Sequence, residues 1–82
     1  MDAMKNFVSD LCKIIGVIYE DDFLGTDWTW RENFIRHACV QCAIKIPDDM
    51  TDETWLEETF FPMAAAQSGV LLPDDIASNF VQ

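Results

Sequence analysis

Cys12, His37, Cys39 and Cys42 are the side chains of this 82-residue chain best suited to metal or redox chemistry. Together they make up the single Cys₃His set that a structural zinc ion would need. Their spacing argues against it. At about 100° per residue on a continuous helix, His37 points about 160° away from Cys39, so the two cannot share one ion. Cys39-Val40-Gln41-Cys42 also reads as a C-x-x-C redox pair. Such pairs act at a helix N-terminus that follows a strand, where the dipole lowers the thiol pKa. Here the pair falls mid-helix, with neither Gly nor Pro between the thiols. An odd number of cysteines, each inside an apolar run, implies free buried thiols in a reducing compartment.

Oxygen donors offer a second chemistry. Asp21, Asp22, Gly25, Asp27 and Glu32 have the flavour of an EF-hand loop. With Gly25 at the sixth loop position, however, Leu24 takes the fifth and Arg31 the twelfth, where a carboxylate is required. No metal and no cofactor is expected. His37 has no identifiable acid–base partner, and Ser9, Ser68 and Ser78 lie in no nucleophile motif. No Gly-rich loop offers to cradle a phosphate. The chain reads as a non-enzyme.

Carboxylates are what the chain has in abundance. Its formal net charge is −10, and after Lys45 it carries eight acids and no base. Asp27, Asp52, Glu53, Asp74 and Asp75 are explained as helix-start residues, each worth about 0.3–1 kcal/mol through the helix dipole. Glu20-Asp21-Asp22 and Glu57-Glu58 are not. An ordinary solvated face would intersperse Lys for i,i+4 pairing. A charge this one-sided repels nucleic acid and anionic membranes and attracts basic protein surfaces. Glu53 and Glu57, one helical turn apart, lie about 6 Å apart along the axis. That is compatible with imitating DNA phosphates, which rise about 3.4 Å per step along a strand. Asp48, Asp49, Asp52, Glu53, Glu57 and Glu58 are therefore the expected contacts, with Glu20, Asp21 and Asp22 next.

The elements that must position these groups are helical. Met4, Phe7, Val8, Leu11, Cys12, Ile15 and Ile18 recur at spacings of three and four, which predicts a first helix; residues 14–18 would also suit a strand. Glu20 to Asp27 is a polar connector. The second helix starts with Asp27 as its cap, or with Thr29 capping and Glu32 completing a capping box, and runs to about Lys45 ahead of Pro47. Its inner sector holds Ile35, Ala38, Cys39, Cys42 and Ile46, with Trp30 and Phe34 beside it. Thr51 is the expected cap of the third helix, whose inner face is Trp55, Leu56, Thr59 and Phe60. That helix should break at Pro62 and give way to a short Met63–Ser68 helix closed by Gly69. A last helix starts after Pro73 and ends near Val81. The expected fold class is all-α: residues 1–82 as one compact acidic domain of four to five short helices.

Trp28 and Phe61 are candidate aromatic anchors for a partner. Trp28 and Trp30 flank Thr29, so at most one of them points straight inward. Phe61 projects from the outer side of the third helix if that helix continues. Large aromatic residues are enriched at interface hot spots.

In size, charge and absence of catalytic machinery, the chain resembles the small acidic inhibitors that bacteriophages encode against host defences, such as anti-CRISPR and anti-restriction proteins. That resemblance implies a DNA-mimic inhibitor docked on a basic, nucleic-acid-binding surface, in the host cytoplasm. A helical assembly module, pairing with itself or with another subunit and using its acids for solubility, is the alternative expectation. The N-terminus lacks the basic and apolar regions of a signal peptide. No apolar run approaches the roughly 20 residues needed to cross a bilayer.

Overall fold

Helix α1, Ala3–Ile15, begins where Asp2 Oδ1 accepts hydrogen bonds from the Met4 and Lys5 amides, at 3.0 and 3.3 Å. The computed structural model describes residues 2–82, so the first residue of the expected 1–82 domain lies outside it. The stripe Met4, Phe7, Val8, Leu11, Cys12 and Ile15 is buried as its period requires. The helix ends earlier than its pattern suggested. Gly16 takes the left-handed conformation (φ 79°), and the Val17 amide reaches back to the Cys12 carbonyl at 3.0 Å. A side chain there would cost about 1–2 kcal/mol, so Gly16 stops the helix. Ile18 lies beyond it, 84% exposed, in a segment that is neither helix nor strand.

The connector contains a 3₁₀ turn, Phe23–Gly25, whose Phe23 is fully buried among the acids on either side. Helix α2 spans Thr29–Gln41. Asp27 Oδ1 accepts from the Thr29 amide at 2.9 Å, so the first of the two expected starts is nearer the truth. The Thr29–Glu32 capping box does not form, because Thr29 is already helical. The helix stops four residues short of Lys45. Ala43 adopts φ 56°, and the Ile44 amide closes the end on the Cys39 carbonyl at 2.9 Å, the same device that ends α1. Ile46 consequently leaves the expected inner sector and is partly exposed.

Alanine at this left-handed position is strained. Ala43→Gly should stabilise the fold by about 0.5–1 kcal/mol, after allowing for the extra freedom glycine gives the unfolded chain. An upward shift of the urea midpoint at unchanged m-value would show it; a downward shift would mean that the exposed Ala43 methyl does something this geometry does not reveal.

Helix α3 covers 53–68 in three continuous pieces: an α turn Glu53–Trp55, a π turn Leu56–Phe60 and an α segment Phe61–Ser68. Its cap is Asp52, not Thr51. Asp52 Oδ1 accepts from the Thr54 and Trp55 amides at 2.9 and 3.4 Å, while Thr51 turns to Asp49. The expected break at Pro62 does not occur. The Phe61 amide bonds to the Leu56 carbonyl five residues back, so the turn holds one extra residue. That wider ladder makes room for the Pro62 ring, which would otherwise meet the Glu58 carbonyl. The extra residue also delays the rotation of the chain, so Phe61 swings inward to complete burial rather than facing solvent. Gly69 (φ 76°) closes the helix as anticipated.

Helix α4, Ile76–Phe80, follows Pro73 as expected, although neither Asp74 nor Asp75 caps it through a side chain. Phe80 is the hub of the core. Its ring centroid lies 5.2–6.1 Å from those of Phe23, Trp28, Phe34 and Phe61. The all-α expectation holds: four helices and one 3₁₀ turn, with no strand among the described residues. They form one globule of 27 × 25 × 24 Å.

Candidate interaction surface

Every described carboxylate residue except Glu32 is exposed. Lys5–Asp21, at 3.7 Å, is the sole ion pair among the described residues. Asp2, Asp27, Asp49 and Asp52 accept instead from backbone amides. Thr29 donates to the Asp27 carboxylate through its amide and holds the Asp27 pKa below its ordinary value. Thr51 does the same for Asp49 through its hydroxyl, at 2.6 Å, and its amide, at 2.9 Å.

Of the predicted acidic contacts, three line one of two concavities and the rest stand on open surface. Glu20 and Asp22 join Asp27, Thr29 and Trp30 around a cleft of about 420 Å³. Asp48 stands in the wall of a groove of about 520 Å³, between residues 44–48 and the Trp55, Thr59 and Met63 side of α3. Asp49 and Asp52 sit on the turn that follows, and Glu53, Glu57 and Glu58 are exposed along α3. Asp21 is tied to Lys5 and accepts from the Tyr19 hydroxyl at 3.3 Å. A continuous ladder of rings, Trp30–Phe34–Phe60–Trp55, joins one concavity to the other with centroid steps of 5.4, 6.2 and 5.4 Å. Both depressions thus rest on rigid aromatic core.

The two proposed anchors fare differently from expectation. Phe61 is wholly buried, edge-on to Phe7 at 5.9 Å, and is a core residue. Trp28 is half-buried, edge-on to Phe80 at 5.7 Å, with the Arg31 guanidinium carbon 4.1 Å from its ring centroid. Its face is occupied within the fold.

Arg31 is the functional-looking residue that pattern reading missed. It is 2% exposed, yet no Asp or Glu among the described residues pairs with it. Nη1 donates to the backbone oxygens of Phe80 and Gln82, both at 2.8 Å, and Nη2 to the Thr26 carbonyl at 3.4 Å. Nε is buried without a partner. Burial lowers the guanidinium pKa, and the charge on Asp27 opposes that shift. This arginine ties the end of the described chain to α2, so its role is to hold the fold.

The three thiols are free and buried. Burial pushes Cys12 from 9.0 up to about 12; burial, and then the neighbouring Cys42, push Cys39 up to about 11. The C-x-x-C pair lies at the carbonyl end of α2, the reverse of a redox site. Among the described residues no group of three His, Cys, Asp or Glu side chains is placed to hold a metal ion. His37 Nδ1 lies 2.9 Å from the Asn33 carbonyl on the exposed face of its own helix.

The buried thiols make stability sensitive to alkali. Below pH 9 both the folded and unfolded thiols are protonated and nothing is lost. Above it the unfolded chain ionises first, so stability falls as the pH climbs from 9.0 through the folded values near 11 and 12. By pH 11 the Cys12 part should be on the order of 3 kcal/mol. Urea midpoints at pH 8 and 10.5 would show the fall, and Cys12→Ala should reduce it; equal slopes for the two proteins would refute the assignment.

Fold and surface together define a small acidic all-α domain in which Asp21 is the one described carboxylate with a basic partner. No known protein family, characterised protein or solved structure matches the chain. No described helix is long and apolar enough to cross a membrane.

Proposed function

We propose that this protein is a non-enzymatic inhibitor that docks its acidic surface on the basic, nucleic-acid-binding surface of a host defence complex, as an anti-CRISPR or anti-restriction DNA mimic does. The observation that carries this reading is the near-absence of internal neutralisation: one ion pair among the described residues, which hold all fifteen acids. Self-repulsion at a net charge of −10 opposes the compact state, and a basic partner relieves it. Asp48, Asp49, Asp52, Glu53, Glu57 and Glu58 supply the main contacts, and Glu20, Asp21 and Asp22 extend them. Steering by this field speeds encounter.

The test is capture from bacterial lysate at low and high salt, with the wild type and a Glu53→Lys, Glu57→Lys, Glu58→Lys triple variant. The expected partner is a DNA- or RNA-handling protein, released at high salt, displaced by duplex DNA and lost by the triple variant. All three residues are exposed, so the variant should keep its fold. Capture of the same protein by the variant, undiminished at high salt, would sink the reading.

One observation favours a second reading, the helical assembly module. Ile14, Ile18, Val40 and Leu71 leave large apolar side chains in solvent, Leu71 at 91% exposure. A self-paired module would show a doubled mass in solution, insensitive to salt.

A further inference from the structure

With Phe61 in the core, the acidic surface needs another source of apolar contact, and the groove beside α3 provides it. Trp55, Thr59 and Met63 of α3 together form one wall of this groove. Ile46 and Pro47 line it from the irregular segment that follows the early end of α2. Trp55 is half-buried, its inner face stacked on Phe60 at 5.4 Å. Ile46 and Met63 remain 40% and 39% exposed, which is costly surface to leave in water. At about 520 Å³ the groove is large enough for a bulky side chain.

Charge chooses the occupant. Asp48 lines the groove, Asp49 and Asp52 are exposed on the turn after it, and Glu58 is exposed beside Thr59. Lys45 is the one base in the groove. A second copy of the chain would bring a further net charge of −10, and nucleic acid would bring phosphates. Both are repelled. We infer that the groove seats one bulky apolar side chain projecting from a basic segment of a partner protein, whose flanking Lys and Arg residues pair with the surrounding acids. The inference rests on the reading of the acidic surface given above, and it names the anchor of that surface.

Three synthetic helical peptides test it against the whole chain: a lysine-rich peptide with one central leucine, the same peptide with that leucine replaced by alanine, and a leucine peptide with every lysine replaced by glutamine. Affinity is read by calorimetry, and location by the NMR signals of the Met63 methyl and the Trp55 indole N–H. The leucine–lysine peptide should bind at least about tenfold more tightly than the alanine one. It should shift both signals and weaken with salt, and Met63→Gln should erase the tenfold difference. Equal, salt-sensitive binding of the leucine and alanine peptides would overturn the groove as anchor and leave the acidic-surface reading standing. Failure of both lysine peptides to bind at low salt would overturn both ideas. Equal binding by the glutamine peptide would overturn the basic partner. Concentration-dependent shifts of Met63 in the chain alone would assign the groove to a second copy.

Discussion

Phe80→Ala is expected to remove about 4 kcal/mol of folding free energy, the upper part of the range for buried phenylalanines. The ring is fully buried and sits against four other aromatic rings contributed by the 3₁₀ turn, α2, the residue preceding α2, and α3. Edge-to-face and tilted pairs of this kind add to the plain burial of area. α4 is a single short turn and cannot collapse onto the space left behind. A domain of this size has a total stability on the order of 4–12 kcal/mol, so the variant should sit near the unfolding threshold. Urea denaturation followed by far-ultraviolet circular dichroism gives the number. A loss under about 1 kcal/mol at an unchanged m-value would mean that the C-terminal turn is not part of the cooperative core.

Arg31→Ala should cost nearly as much, about 3 kcal/mol, by a different route. Truncation leaves the Phe80 and Gln82 backbone oxygens without their donor, removes the cation from the face of Trp28 and opens a void. Arg31→Lys separates geometry from charge. Lysine keeps the positive charge, but a single ammonium cannot reach both oxygens and lie flat on the indole as the planar fork does. We expect it to lose about 2 kcal/mol. Wild-type stability in the lysine variant would show that only the charge matters. Because Arg31 acts on the backbone of Phe80, the effects of replacing the two residues should not add.

The sequence displayed the helices better than their ends. The stripe of α1 was legible because six apolar residues keep a strict period, and the exposed acids of the second half were legible because no base follows Lys45 in the sequence. Phe23 was hidden: one apolar residue among acids has no periodicity, and only the ring cluster formed by Tyr19, Trp30 and Phe80 reveals its burial. The π turn was hidden because one extra residue breaks the constant angular step on which face assignments depend, and that step put Phe61 on the wrong side. Arg31 resembled any surface base, since its acceptors are backbone atoms 49 and 51 residues away. The acidic stretches could be read from composition. The groove that Asp48 lines could not, because it exists only where α2 ends early and lays residues 44–48 beside α3.

The position of Phe80 also sets an order of events at birth. A chain emerging from the ribosome N-terminus first can wind α1, α2 and α3 in turn, but the ring that joins them is made after all three. Until it has cleared the exit tunnel, Phe23, Phe34 and Phe61 lack their common neighbour and Arg31 lacks the Phe80 carbonyl. The nascent chain must therefore keep an open, strongly acidic intermediate apart from its neighbours on the polysome, and the mutual repulsion of its carboxylates is well suited to that task.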